Sequence, residues 1–298
     1  MNGTSLSDKR PVNLLTFDVE DWFHILDLGD RQPSPADWHS LPSRLEANVE
    51  SILELVSRSG VHATFFVLGW IADKYPSIIK KLNSFGHEIA CHGYGHELIS
   101  SLTIEQFRDD LRRTRGIIEN ITGEAVRGYR GPGFSITSGN LWAFDVIAEE
   151  GFKYDATLYP GTHGHGGIPG LPSEPFALIT PAGHSLKEFP VSMLSIGNYR
   201  VAFSGGGYFR ICPFFILSRM IRKRNLQGRT VMVYLHPRDL DGQTPRLQMP
   251  FKRKFKCYVN VSGASEKLRR ILKAYRFSAI RDFLERRGEY LPVTSLRR

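Results

Sequence analysis

Apolar residues in this chain fall into short unbroken runs that stop abruptly at polar clusters, and between the runs they recur at helical spacing. The first run, VNLLTFDVED (residues 12–21), ends in acid. Such a stretch predicts a strand buried on both faces with its polar groups at the carboxyl end. In SRLEANVESILELVSRSG (43–60), Leu45, Val49, Ile52, Leu53 and Val56 line one face of a helix that Gly60 terminates. VHATFFVLG (61–69) predicts a second strand, IADKYPSIIKKLNSFG (71–86) a second helix and HEIAC (87–91) a short third strand.

The alternation continues downstream. TIEQFRDDLRRTRGIIENITG (103–123) predicts a long helix opened by threonine and closed by glycine; VRGYRGPGF (126–134) is a strand running into a Gly/Pro loop, and TSGNLWAFDVIAEEG (137–151) a further helix. FKYDATL (152–158), KEFPVSML (187–194) and TVMVYLH (230–236) are strand candidates, and YPGTHGHGGIPGLPSEP (159–175) is a loop long enough to be functional. Strands alternating with helices predict a parallel α/β sheet or barrel. The expected organisation is a polar tail over residues 1–11 and one domain over 12–298, with 241–298 as a basic helical extension.

Composition narrows the class only a little. With 41% hydrophobic and 23% charged residues in 298, the chain suits a globular protein with a substantial core. Three widely spaced cysteines exclude a disulfide framework and a thiolate metal site. The amino terminus lacks the pattern of a signal peptide, so the protein is expected to be cytoplasmic. The net charge of +9 concentrates late, in RMIRKRNLQGR (219–229) and RLQMPFKRKFK (246–256). It carries no nucleic-acid motif, and it suits either a solvated basic face or peripheral contact with an anionic membrane at the inner face. CPFFILSRMIRKR (212–224), apolar at first and then basic, fits both a membrane-surface helix and an ordinary core helix.

The chemistry sits where strands end. Asp18 and Glu20, two apart in an extended chain, project together, and buried carboxylates are costly unless paired or metal-bound. His92 and His96 in HEIACHGYGH have the i, i+4 spacing of a ligand pair, although Gly93 and Gly95 call for a tight loop instead of a helix. His87 lies off that spacing and is assigned to structure. Arg130 beside a Gly/Pro turn has a planar fork suited to holding a carboxylate, and His236 ends an apolar strand. In a parallel sheet these positions converge beyond the carboxyl ends of the strands, which points to a metal hydrolase.

Taken in order, TFDVEDW, HGYGH, RGPGF and YLHP resemble the motifs of the NodB-homology polysaccharide deacetylases, carbohydrate esterase family four, over roughly residues 12–240. DVEDWFH, HPRDLD and the basic carboxyl-terminal segment are most similar to the branch found with bacterial exopolysaccharide and O-antigen clusters. The resemblance implies a distorted (β/α) barrel with fewer than eight parallel strands and removal of N-acetyl groups from amino sugars. Asp18 would then be the catalytic base, Arg130 the residue that orients it, His236 the general acid, and His92 and His96 metal ligands. Much of the family reads TFDDG, with the third ligand directly after the base. Val19 stands there in this chain, so Glu20 is taken as the ligand with Asp21 as the fallback. The donor set favours Zn2+, with Co2+ and Mn2+ as alternatives. The expected partner is an acetylated amino-sugar glycan or its lipid-linked or nucleotide-linked precursor. Trp22, Tyr94 and Phe134 are the candidates for stacking on sugar faces, and Asp155, Glu188 and Asp239 the candidates for orienting His236. A non-catalytic glycan-binding scaffold and a cyclic-amide hydrolase on the same fold stay open.

Overall fold

The computed structural model describes residues 11–197 and 199–296; the polar tail expected over 1–11 thus lies, up to residue 10, outside the described residues. Strand β1 (Asn13–Val19) is buried at every position. Its neighbours are β2 (Thr64–Val67), β3 (Glu88–Cys91), β4 (Gly128–Tyr129), β5 (Tyr154–Asp155), β6 (Phe176–Ile179), β7 (Ser185–Glu188), a β8–β9 hairpin (Met193–Ile196 and Tyr199–Ala202), β10 (Met232–Leu235), β11 (Phe277–Ser278) and β12 (Val293–Ser295). The main sheet runs β10-β1-β2-β3-β4-β5-β7-β6-β12, with β11 added against the start of β1. From β10 to β7 every pairing is parallel; β6 alone turns antiparallel to β7. Its two ends, β10 and β12, do not pair, so the sheet is an open, distorted relative of a barrel.

Helices cover the sheet as the spacing predicts. In α1 (Leu45–Arg58), all five residues expected on the apolar face are buried. The second expected helix divides into α2 (Gly69–Lys74) and α3 (Pro76–Ser84). Pro76 cannot continue a helix from Tyr75 but is well suited to begin one. Helix α4 (Ile104–Thr122) opens with a reciprocal cap between Thr103 and Gln106 and closes on Gly123 at φ 70°. Then come α5 (Trp142–Glu149), α6 (Gly206–Ile211), α7 (Phe214–Leu226), α8 (Phe251–Tyr258), α9 (Ala264–Ala274) and α10 (Ile280–Arg287).

The carboxyl-terminal third is more than a helical appendage. Phe277 and Ser278 pair with Asn13 and Leu14, and Ile280 and Phe283 of α10 pack into a core cluster with Leu14, Phe66 and Tyr154. CPFFILSRMIRKR spans the start of α7, where Leu217 and Ile221 are buried while Phe215 and Ile216 are exposed. It is a core helix with an apolar outer edge.

Candidate active site

Asp18 lies at the carboxyl end of β1, His92 follows β3, Arg130 follows β4 and His236 follows β10, four parallel strands of one sheet with β2 between β1 and β3. Asp18 is 2% exposed, and its Oδ1 accepts a hydrogen bond of 2.6 Å from Nη1 of the fully buried Arg130. Arg130 is fixed in turn: Nη1 also donates to Thr16 Oγ1 (3.0 Å), Nε to the Ala156 carbonyl (3.3 Å), and the guanidinium lies 4.1 Å over the Phe66 ring.

Gly93, at φ 72°, begins the loop that carries the histidine pair; a side chain there would press against Asp110, whose Oδ1 holds the Tyr94 N–H at 2.8 Å. His96 itself adopts φ 57°, a strained setting that turns its ring back toward His92. His92 Nδ1 donates to the Arg130 carbonyl at 2.7 Å. In the neutral ring, that bond leaves a lone pair on Nε2, which faces Glu20 Oε1 at 3.2 Å, while His96 Nε2 meets the same oxygen at 2.9 Å. These three donor atoms lie within 4.8 Å of one another in a buried cluster. With Nε2 unprotonated on both rings, the three donor atoms would face a common point, so the residues present fit a divalent metal; without an ion, a proton on Nε2 lets the ring donate to Glu20 instead. Asp21, the fallback ligand, is occupied elsewhere. Its carboxylate accepts from Ser43 Oγ at 2.5 Å and from the Trp22 N–H at 2.8 Å.

Burial opposes ionisation of Glu20, but His96, His236 and Arg238 and the bond from His92 outweigh it and hold the carboxyl well below its usual range. Arg238 donates to Glu20 Oε2 at 2.6 Å, which leaves Oε1 for the histidine side. Sequence reasoning missed Arg238; its place two residues after the strand-terminal His236 was the only signal. His236 Nε2 stands 3.9 Å from Asp18 Oδ2 and 3.6 Å from Glu20 Oε1. Its Nδ1 is bonded to Asp239 Oδ2 at 2.9 Å, so Asp239 is the acid that orients it. Against the cost of burial, Arg210, His236 and Arg238 keep Asp239 strongly acidic, and Arg210 Nε reaches its other oxygen at 3.0 Å. Asp155 and Glu188 instead form a fully buried pair beside β5, away from His236. Asp155 accepts from Thr157 Oγ1 at 2.5 Å and Glu188 from the Leu158 N–H at 3.1 Å.

These groups open onto a cleft of about 470 Å³ whose walls include Phe134, Tyr159, Tyr208 and Tyr234, with His163, His165, Arg253 and Lys256 further out. Phe134 is therefore where the sequence reading put it. Trp22 and Tyr94 are not. Asp21 caps a short 3-10 turn (Trp22–His24) that swings the Trp22 indole into the core, 6% exposed, with Nε1 bonded to the Pro42 carbonyl. Tyr94 lies under Arg113, 3.3 Å from ring centre to guanidinium, and bonds Asp73. His24 packs edge-on against Trp38 and Trp70, with its ring centre 6.1 Å from that of His96, and its Nδ1 accepts from the Asp21 N–H at 3.0 Å. A larger groove of about 960 Å³ between α1 and α9 is lined by none of these side chains.

Residues 7–145 match the family model "Polysaccharide deacetylase", and residues 156–285 match a second model, "Domain of unknown function (DUF3473)". His236, Arg238 and Asp239 come from the second segment, so the site is assembled across both. A peptidoglycan deacetylase of Helicobacter pylori is 31% identical over 118 residues, 38% of each chain. A peptidoglycan-N-acetylglucosamine deacetylase of Bacillus cereus is 29% identical over 116 residues, 35% of this chain and 42% of that one. The matches thus span about two fifths of these relatives' length. Among solved structures, a Mycobacterium smegmatis protein assigned to the polysaccharide deacetylases superposes with TM-score 0.62 at 21% identity, covering 99% of this chain and 96% of that one. A CE4 family pseudoenzyme from Bacillus anthracis superposes with TM-score 0.52 at 14% identity over 92% of this chain and 66% of its own. The fold is shared with a protein described as a pseudoenzyme, so activity has to be argued from the side chains.

Proposed function

We propose that this chain is a metal-dependent hydrolase that removes N-acetyl groups from amino sugars of a polysaccharide or its lipid-linked or nucleotide-linked precursor. The observation that carries this reading is the convergence of Asp18–Arg130, Glu20–His92–His96 and His236–Asp239 on one cleft. Glu20, His92 and His96 would hold the ion, with Zn2+ the first choice for a mixed nitrogen and oxygen set. When bound, the ion supplies Lewis acidity to the acetamide oxygen and acidifies water. Asp18, kept in place by Arg130, takes the proton of the attacking water. His236, with Asp239 holding Nδ1, gives a proton from Nε2 to the departing amine as the C–N bond breaks and acetate forms. Phe134, Tyr159 and Tyr234 offer ring faces to the sugar.

A cleft that extends outward from Asp18 to Lys256 supports a glycan over a small cyclic amide. Its outer cations, with the net charge of +9, suit a phosphate-bearing intermediate of exopolysaccharide or O-antigen assembly on the cytoplasmic side.

Elemental analysis of protein reconstituted with zinc, cobalt or manganese tests the reading at its base. The expected result is about one ion per chain and an affinity lower by about two orders of magnitude in His92→Ala. Acetate release from N-acetylated oligosaccharides follows as the second measurement. Protein that binds no metal under any of these conditions would move the scaffold reading ahead.

A further inference from the structure

Helix α8 (Phe251–Tyr258) has no buried residue, yet it is held rigidly at the mouth of the cleft. Arg210 of α6 does the holding. Its Nη1 donates to the carbonyls of Cys257 (2.7 Å) and Val259 (3.1 Å), and its Nη2 to that of Lys256 (2.9 Å). Arg253 adds a second tie, with Nη2 donating to the Leu26 carbonyl at 2.6 Å and Nη1 3.4 Å from Asp27, and the other side chains of α8 divide between two surfaces. Arg253, Lys256 and Cys257 line the cleft. Phe251 and Phe255, one helical turn apart on the opposite side, are 82% and 51% exposed. At 3.6 residues per turn, Lys252 and Lys254 flank the two rings on either side.

Two phenylalanines in water beside the active site are unexplained by the fold, which they do not help to build. The segment that carries them is cationic: no aspartate or glutamate occurs between Gly242 and Ser265, and Asp27 meets the helix on the cleft side, against Arg253. An apolar stripe edged by lysines is the pattern of a helix that lies in the plane of an anionic bilayer, its rings among the acyl chains and its ammonium groups at the phosphates. No helix among the described residues is long and apolar enough to cross a membrane, so the contact would be peripheral.

We propose that the outward face of α8, Phe251 and Phe255 with Lys252 and Lys254, docks on an anionic lipid surface and brings the mouth of the cleft to it. For the identity of the cleft this rests on the function proposed above; the contact itself does not. The opposite face of the helix then presents Arg253 and Lys256 to a glycan entering from the membrane plane. It is α8, and not the α7 segment singled out in the sequence, that combines exposure, charge and proximity to the chemistry.

Co-sedimentation with phosphatidylcholine vesicles, with and without phosphatidylglycerol, tests the proposal. Wild-type protein should bind the anionic vesicles and release at high salt, and leave the neutral ones unbound. Phe251→Ser with Phe255→Ser should weaken binding by about tenfold or more. Lys252→Gln with Lys254→Gln should weaken it by roughly 25-fold, about fivefold for each basic residue near the surface. Both double variants should keep the wild-type melting temperature, metal content and acetate release from a soluble oligosaccharide. Wild-type protein that ignores anionic vesicles, or a phenylalanine variant that binds like wild type, overturns the proposal and leaves the enzymatic reading standing. A concentration-dependent dimer abolished by the phenylalanine substitutions would overturn it too, since a second copy would then cover this face.

Discussion

Removing the Arg130 guanidinium while keeping its volume roughly filled, as in Arg130→Leu, isolates the ion pair at the centre of the site. Asp18 would stay 2% exposed and lose the donor at 2.6 Å, with His236 Nε2 3.9 Å from its other oxygen. Thr16 and the Ala156 carbonyl would each lose a partner as well. An uncompensated buried charge of this kind costs about 3–5 kcal/mol. At about 2–4 °C per kcal/mol for a domain of this size, the melting temperature should fall by about 6–20 °C. The assay is urea unfolding followed by tryptophan fluorescence on Arg130→Leu, Asp18→Asn and the double variant. Because removing both partners removes the stranded charge, the double variant should be more stable than the sum of the single losses by about 2–3 kcal/mol. A loss below about 1 kcal/mol for Arg130→Leu, with single effects that simply add, would show that the arginine does not hold the base.

Two further outcomes follow from other contacts. Asp239→Asn leaves a side chain of the same size beside His236 Nδ1 but removes the charge, so acetate release should drop at least about 100-fold in kcat with KM little changed; an unchanged kcat would remove His236 from the proton transfer. His87 is buried with Nε2 unpartnered, and burial, together with His62 and Arg281, pushes it down to about 4. The unfolded chain therefore binds the extra proton first. His87 makes no difference to stability above pH 6.5 and draws stability away as pH falls toward 4, by up to about 3 kcal/mol. His87→Phe should flatten that slope in urea titrations at pH 4.5 and 7, and an unaltered slope would refute the assignment.

What could be read from the sequence follows from how local each signal is. Strands buried on both faces announce themselves as apolar runs, and the residue that ends each run faces the common cleft. Asp18 and His236 could be located on that rule, while His92 also needed its spacing to His96 and Arg130 the Gly/Pro turn that follows it. The direction of a side chain just past a strand is not local. Trp22 follows the acidic cluster directly, yet Asp21 caps a turn that buries it, and the cap depends on Ser43, 22 residues away. Choosing Asp239 over Asp155 and Glu188 required knowing which loops meet. The same holds for β11, a two-residue strand with no periodicity to read, whose existence depends on the free edge of β1.

The opposite edge of β1, the one that pairs with β10, sets the order in which the chain can be completed on the ribosome. β1 is made first and finds β2 within some fifty residues, but its other neighbour, β10, begins at Met232, which pairs with Leu14. Until then one side of a wholly buried strand stays bare, a long-range pairing of the kind that slows folding and invites association between nascent chains. The segment that matches the deacetylase family ends at residue 145, so expressed alone it would keep that bare edge permanently. β10 carries His236 on its end, so translation delivers the strand that covers this edge and the cleft histidine in one step, before β11 arrives at Phe277.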